Sequence, residues 1–405
     1  MPLARRLLSF STIPAASALI PFLILPILSR AAGAEAWVAI AVGQSVGGFF
    51  ALAVSLGLNV VGPTLVSVEP EAGRPELFAT GTRARLAVAV PGAALAAAVA
   101  ALLSPGAEAA AAAVMAVAIA SGGLSSSWYL IGLGRPLPLI LFELVPRAAA
   151  TALGAAAILL GGDVIWYPSL LLLAVVGGVF AYAATVMKPL ELLRSGWRRS
   201  AAFARRHLSA AATETVSGAY TALAVSLVSA GTSAAQAASY VSGDKLFRMG
   251  QTVVGAQGNA LQGWVVEEER AHVLRRARTA LLLHGGLGLL GFAAFALLGP
   301  WLTSALFGEE VAMERPTAVL FGVAVLCISL TTSIGRHFLV ALGRTRAVFV
   351  SVVAGAVVGV PTTLALAASS GSVGGATGLA AAEVVVLLVQ LAYAVPALRT
   401  ARKAA

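Results

Sequence analysis

Charged side chains are scarce in this chain. Asp, Glu, Lys and Arg together make up 11% of its 405 residues, whereas hydrophobic residues make up 59%. Because a soluble globular domain carries charge on about a quarter of its residues, this composition argues against a soluble fold. The chain instead contains repeated apolar runs of about 20 residues, the length that a helix needs to cross a hydrocarbon core of about 30 Å.

Cysteine and histidine are also rare. The single Cys327 has no second cysteine for a disulfide within the chain, so cysteine usage does not indicate a redox compartment. The four histidines, at 207, 272, 284 and 337, lack the spacing of metal ligands, and no Ser, His and acid combination indicates nucleophilic catalysis. No connection outside the membrane is long enough to form a catalytic domain. We therefore expect no metal site, no cofactor and no enzymatic activity.

Alternation of polar and apolar residues, the pattern of membrane strands, is absent, so the spans are predicted to be helices. The sequence predicts an all-α integral membrane protein of about twelve transmembrane helices. The predicted spans cover residues 7–28, 36–61, 84–104, 108–131, 138–160, 164–187, 213–232, 240–265, 279–299, 316–341, 347–368 and 376–397. We interpret the first as a retained span and not as a cleaved signal peptide.

The placement of the basic residues predicts the orientation of these spans. With the N-terminus in the cytoplasm, only Arg30 and Arg315 fall in connections outside the membrane, and all other Lys and Arg lie in cytoplasmic segments or in spans. Cytoplasmic loops are expected to carry such an excess. Both termini are therefore predicted to be cytoplasmic. The same placement explains the net charge of +10 without nucleic-acid binding.

A basic segment near the middle of the chain predicts two lobes. Residues 188–212 hold six basic residues and one acid, and are interpreted as a cytoplasmic linker between an N-terminal lobe at 1–187 and a C-terminal lobe at 213–405. Each lobe contains six predicted spans. Two sequence echoes support a parallel repeat: 43–48 resembles 250–255, and 129–135 resembles 338–344. Parallel six-span repeats are an architecture of secondary transporters.

Span 8 carries a polar stripe. Its members recur at intervals of three or four residues and share one helical face: Asp244, Arg248, Gln251, Gly255, Asn259 and Gln262, with Lys245 adjacent. A charged group at membrane depth normally faces the bundle interior or a watery cavity. Span 10 adds Arg336 and span 12 adds Glu383, so we predict an aqueous, cationic lumen.

The alternative is that these charges are structural. Glu143 precedes Arg147 by four residues, and Asp244 precedes Arg248 by four, so each could form a self-neutralised pair on its own helix. Arg336 has no acid three or four residues away along its helix. That difference favours a cavity suited to a phosphate-bearing substrate.

Several short segments resemble one family of transporters. They are Gly57-Leu58, Ser127-Trp128-Tyr129 before Gly134-Arg135, Asp244-Lys245-Leu246, Leu306-Phe307-Gly308, Leu342-Gly343-Arg344 and Gly374-Gly375-Ala376. In this order and spacing the chain resembles, over nearly its whole length, the polysaccharide biosynthesis flippases and exporters (O-antigen and exopolysaccharide flippases). These form one branch of the superfamily of multidrug, oligosaccharidyl-lipid and polysaccharide exporters, which also includes lipid II flippases.

The resemblance implies an inverted-V transporter fold of two six-helix lobes in the bacterial inner membrane. It implies a flippase that moves an undecaprenyl-pyrophosphate-linked oligosaccharide from the inner to the outer leaflet by alternating access. We expect substrate contacts at Arg147, Lys245, Arg248, Arg336, Gln251 and Asn259, and ion coupling by H+ or Na+ at Glu143, Asp244 or Glu383. Polysaccharide polymerases are the implied protein partners.

Two alternatives stay open. One is a multidrug or lipid II exporter of the same superfamily, although residues 7–28 lack the acid found in span 1 of cation-coupled drug exporters. The other is a membrane scaffold that transports nothing.

Overall fold

The computed structural model describes residues 24–104, 106–188, 196–266, 270–340 and 342–404. Helices dominate these ranges, and no strand occurs in them. The predicted all-α class is therefore confirmed. Most of the first predicted span, with residues 7–23, lies outside the described residues, and residues 24–31 are helical.

The helices are numbered in chain order. They are α1 Gly33–Ser55, α2 Leu58–Val68, α3 Arg74–Leu103, α4 Ala109–Ser121, α5 Ser127–Leu133, α6 Pro136–Leu139, α7 Val145–Leu159, α8 Trp166–Val186, α9 Trp197–Gly231, α10 Ala234–Val266, α11 Arg270–Phe307, α12 Arg315–Thr332 and α13 Thr345–Ala404. A π-helical segment, Ile140–Leu144, joins α6 to α7, and a second, Ser333–Val340, follows α12.

Eight helical stretches in the described part are long and apolar enough to cross a membrane. They coincide with predicted spans 2 to 6 and 9 to 12, because the last stretch, Thr345–Pro396, contains two spans. Predicted spans 7 and 8 fall within α9 and α10, whose lengths are 35 and 33 residues. Helix α9 begins at Trp197, so much of the predicted linker is helical.

The chain forms two compact units, 1–226 and 227–405. Their boundary lies inside α9, later than the predicted linker. The lobe limits proposed from the sequence stay a prediction.

Small residues bring α1 and α4 into close contact within the first unit. A Cβ atom on Gly43 would lie 2.5 Å from the carbonyl oxygen of Ala112, and one on Gly47 would lie 2.6 Å from that of Ala116. Only glycine allows the two backbones to approach this closely. A cluster of buried aromatic side chains that includes Phe78 and Trp128 packs around α5 within the first unit.

The first unit contains two helix breaks. Helix α1 ends at Leu56 and Gly57, whose φ angles are +52° and +72°. Helix α4 passes into a 3₁₀ turn at Gly122–Leu124 before α5 begins. Each break leaves backbone groups without their helical partners, so side chains must satisfy them.

In the second unit, α13 is a hairpin of two spans. The only non-helical backbone angles within α13 are at Gly371, where φ is +55°. Gly359 packs against Ala382 on the other side of this break, so the two halves run antiparallel. The oxygen Oε1 of Gln236 accepts the Ser372 amide at 3.0 Å and holds the turn.

The second sequence echo ends in the same way in both units. Gly134 and Gly343 have φ angles of +67° and +72°, and each follows a helical turn. The amides of the next residues, Arg135 and Arg344, donate back to carbonyls five residues earlier at 3.0 and 2.8 Å. Both segments therefore finish with the same glycine-dependent cap.

Candidate functional site

The polar face of α10 begins with a buried ion pair. The Nε atom of Arg248 donates to Oδ2 of Asp244 at 2.7 Å. Asp244 and Lys245 are 2% and 7% exposed, whereas the Arg248 side chain is 35% exposed. The predicted pairing of Asp244 with Arg248 is confirmed, and the guanidinium of that pair retains access to its surroundings.

A second cation approaches the same helix eleven residues further on. Nη1 of Arg336, in the second π-helical segment, donates to Oδ1 of Asn259 at 2.7 Å. Eleven residues of α-helix span about 16 Å and return to nearly the same face. Arg248 and Arg336 therefore lie at two levels along one face of α10, with Gln251 between them.

The amide of Asn259 orients the Arg336 guanidinium but does not neutralise it. A guanidinium has five N–H donors, and the bond to Asn259 uses one of them. Arg336 is an exposed residue, so its remaining surface can contact an anion. The side chain of Gln262, the last predicted member of the stripe, lies outside the described part of the chain.

Glu143 and Arg147 form a looser pair in the first unit. Their closest atoms, Oε2 and Nη2, are 3.9 Å apart, too far for a hydrogen bond. Glu143 instead accepts the hydroxyl of Ser125 at 2.7 Å and the amide of Ser126 at 2.8 Å. The carboxylate therefore satisfies the start of α5 after the break in α4. This geometry favours a structural role for Glu143.

Arg85 completes this network, and sequence analysis missed it. The side chain is 1% exposed, and its Nη1 atom donates to the carbonyls of Gly123 and Ser125 at 3.2 and 2.7 Å. Its guanidinium carbon lies 5.4 Å from the centre of the Trp128 ring. The sequence feature that could have identified Arg85 is the presence of an arginine within the apolar run of predicted span 3.

Glu214 is a second carboxylate that sequence analysis did not single out. It accepts the Ser55 hydroxyl at 3.0 Å and the Asn59 amide at 3.2 Å, next to the break between α1 and α2. Glu214 is the only acid in predicted span 7, and this isolated charge in an apolar span could have identified it from the sequence.

The remaining predicted coupling residue, Glu383, is 3% exposed within α13. Gln390, two turns later, donates from Nε2 to the Ser351 hydroxyl at 3.3 Å. The structure therefore brings together Asp244, Lys245 and Arg248 on α10, and Asn259 with Arg336. Arg147 and Glu143 belong to the other unit, and a lumen shared by both units stays a prediction.

Two histidines also meet in the second unit. The ring centres of His284, on α11, and His337, in the second π-helical segment, are 5.5 Å apart. Both are almost fully buried, at 0% and 1% exposure. The two residues are 53 positions apart in the chain, so no local spacing could have predicted this contact.

No protein-family model and no curated protein sequence matches the chain. Solved structures do match it. The lipid II flippase MurJ in an inward closed conformation gives a TM-score of 0.73 at 11% identity, over 95% of this chain and 87% of that one. An inward-facing multidrug resistance MATE transporter of the MOP superfamily gives 0.67 at 14% identity, over 97% and 96%. The chain has the fold of these transporters.

A eukaryotic MATE transporter gives a further match, with a TM-score of 0.60 at 16% identity over 98% of this chain and 96% of that one. Coverage of nearly the full length on both sides shows that the likeness extends through the whole transporter fold. Identities this low concern the fold alone. The predicted membrane transporter architecture is thus confirmed, whereas the polysaccharide flippase family stays a prediction.

Proposed function

We propose that the chain is a flippase that moves an undecaprenyl-pyrophosphate-linked oligosaccharide from the inner to the outer leaflet by alternating access. The transporter fold supports movement across the membrane. The row of cations along α10 is the observation that supports the choice of substrate. Lys245 and Arg248 lie on α10 and Arg336 contacts this helix through Asn259, so three cationic side chains lie along one helix, and Arg248 is paired with Asp244.

An anionic head group needs such a row because it must leave water to cross. A close charge pair contributes about 4 kcal/mol at an effective dielectric near 20, which offsets part of the desolvation cost. Guanidinium groups match phosphate oxygens in a two-pronged geometry. We assign the pyrophosphate to Arg336, Arg248 and Lys245, and sugar hydroxyls to Gln251 and Asn259. Arg147 is proposed as the head-group contact of the first unit.

Coupling to H+ or Na+ is proposed at Asp244 or Glu383. Glu143, the third predicted coupling residue, has both carboxylate oxygens near Ser125, with one also bonded to the Ser126 amide. These bonds support a structural role for Glu143 instead of a role in ion coupling. Polysaccharide polymerases remain the proposed partners.

Reconstituted vesicles provide the test. Purified protein is incorporated with a short-chain fluorescent polyprenyl-pyrophosphate oligosaccharide, and a membrane-impermeant quencher reports the fraction that reaches the outer leaflet. The double variant Lys245→Ala, Arg336→Ala should lose nearly all flipping, because both substitutions remove head-group cations. Arg199→Ala, which removes a cation that is 79% exposed on α9, is the matched control. Full flipping by the double variant would contradict the cationic site.

A second candidate is export of lipid II or of drugs. The structural similarity to the lipid II flippase, with a TM-score of 0.73, favours it. The same vesicles loaded with fluorescent lipid II, or with a cationic dye, distinguish these substrates from the glycan. A folded protein that moves none of the three would instead indicate the transport-inactive scaffold.

A further inference from the structure

The hydrogen bonds around His284 determine which ring nitrogen carries its proton. The Ser329 hydroxyl lies 2.7 Å from the His284 carbonyl oxygen and 3.3 Å from Nδ1 of the His284 ring. A hydroxyl has one hydrogen, and the shorter contact to a carbonyl uses it. The bond to Nδ1 therefore requires Nδ1–H as the donor. In the neutral ring, Nε2 is then an unprotonated acceptor.

His337 has the opposite arrangement. Its Nε2 atom lies 3.1 Å from the carbonyl oxygen of Gly258 on α10, and a carbonyl can only accept. Nε2 of His337 therefore carries the hydrogen. Its Nδ1 atom is left to accept from the Ser333 hydroxyl at 3.4 Å. Both nitrogens of His337 are thus engaged, and the ring connects the π-helical segment to α10.

The free acceptor belongs to His284. Its Nε2 atom is fully buried and has no hydrogen-bond partner within the described part of the chain. Most buried polar atoms in proteins are hydrogen-bonded, so an unpaired acceptor of this kind requires an explanation. An imidazole nitrogen with a free lone pair is a group that can accept a proton.

Several titratable groups lie on the helices that pack around this pair. His337 and Arg336 act on the His284 ring electrostatically. Cys327 lies on α12 and Glu383 on α13, and α11 itself carries Arg276 and Arg278 before His284. Helix α10 carries no charged side chain between Arg248 and the end of the helix at Val266. Arg336 is therefore the fixed charge closest in sequence to the histidine pair.

We propose that His284, supported by His337, is a proton-binding site linked to anion binding at Arg336. A proton from water adds to the Nε2 lone pair and creates an imidazolium beside a guanidinium. A phosphate bound to Arg336 offsets that repulsion, so the anion favours protonation. Linkage is reciprocal, so release of the proton weakens anion binding by the same factor. This inference rests on the proposed function; it selects H+ as the coupling ion and adds His284 to the two carboxylates proposed above as a group that binds it.

The test measures binding of inorganic pyrophosphate to the purified full chain by calorimetry. In buffers of different ionisation enthalpy, the wild-type protein should take up protons on binding, and affinity should fall up to tenfold per pH unit as pH rises through the range in which the His284 imidazole loses its proton. The variant His284→Asn keeps an N–H group at the δ position for Ser329 but lacks the ε acceptor. It should bind with a smaller pH dependence.

His207→Asn is the matched control, since His207 lies in the first unit and stacks on Phe203. Pyrophosphate itself also changes protonation with pH, but that contribution is common to all variants, so the difference between variants reports His284. Equal pH dependence and equal proton uptake in His284→Asn and wild type would overturn the inference while leaving anion binding intact. A wild-type protein that binds no pyrophosphate at any pH would instead refute the cationic site, and the linkage with it.

Flipping in vesicles gives a second readout. A pH gradient should accelerate wild-type flipping severalfold and leave His284→Asn unchanged. Acceleration of the wild type by a Na+ gradient alone would overturn H+ as the coupling ion, although the flippase proposal would stand.

Discussion

The guanidinium of Arg85, on α3, donates to the carbonyl oxygen of Ser125 at 2.7 Å, across to the break between α4 and α5. The break frees this carbonyl and that of Gly123 from helical bonding, and Arg85 contacts both. Glu143 satisfies the amide of Ser126 on the other side of the break. An arginine and a glutamate from two different helices therefore hold one irregular segment.

Replacing Arg85 should destabilise the first unit. Arg85→Lys keeps the charge, but its shorter side chain draws the donors back from the two carbonyls, and each buried group left unpaired costs about 1–3 kcal/mol. We expect a loss of about 2–4 kcal/mol, seen as a lower unfolding temperature in detergent. Arg199→Lys, at an exposed position of α9, should unfold at the wild-type temperature. Identical unfolding of the two variants would show that Arg85 is not a structural anchor.

Glu143 should respond to substitution as a hydrogen-bond acceptor and not as an ion-binding group. Glu143→Gln retains an oxygen that accepts the Ser126 amide, so we expect most of the stability and most of the flipping activity to remain. Glu143→Ala leaves that buried amide unpaired, at a cost of about 1–3 kcal/mol. Loss of gradient-driven flipping in a stable Glu143→Gln protein would restore the ion-coupling assignment.

Two glycines on α1 form a matched pair for testing the helix contact. A Cβ on Gly43 would lie 2.5 Å from the Ala112 carbonyl oxygen, whereas one on Gly48 would meet nothing within 4 Å. Gly43→Ala should therefore destabilise by about 1–3 kcal/mol through overpacking. Gly48→Ala should be neutral, or stabilise by about 0.5–1 kcal/mol through lower backbone entropy in the unfolded chain. Thermal unfolding of both variants tests this prediction. A lower unfolding temperature for Gly48→Ala than for Gly43→Ala would refute the close packing of α1 and α4.

Asn259 should control how much positive charge Arg336 presents. Asn259→Asp places a carboxylate against the guanidinium and should lower pyrophosphate affinity tenfold or more. Asn259→Ala removes the bond without adding charge, so it should weaken binding only a fewfold. Calorimetry on both variants tests this, and equal affinities would mean that Arg336 does not contact the anion.

The predicted orientation can be tested with single cysteines after Cys327 is replaced by serine. Cysteines at Arg199, on the basic part of α9, and at Ser370, beside the turn in α13, occupy exposed positions. An impermeant thiol reagent added to intact cells should label position 370 and not position 199. The reverse pattern would place the termini outside the cell.

The sequence predicted the parts of this fold that depend on local patterns. Apolar length predicted most of the spans. Spacing along one helix also predicted the bond between Asp244 and Arg248. These features depend on residues within a few turns of each other.

The features that sequence analysis missed depend on distant residues. Arg85 contacts Ser125 across 40 positions, and His284 lies against a π-helical segment whose altered register directs His337 towards α10. Glu214 was not noticed because its partners are more than 150 positions away. In each case the helices first pack through apolar surface, and only that packing brings the polar atoms together.

The turn at Gly371 determines on which side of the membrane the C-terminus lies. The chain enters α13 from one face and, because the backbone reverses at this glycine, returns to the same face. Any residue with a Cβ would meet Oε1 of Gln236 at 2.5 Å and would also be forced into a positive φ angle. Were the reversal lost and the helix continued straight, α13 would cross the membrane once and not twice, and the basic tail after Pro396 would emerge on the opposite side of the membrane.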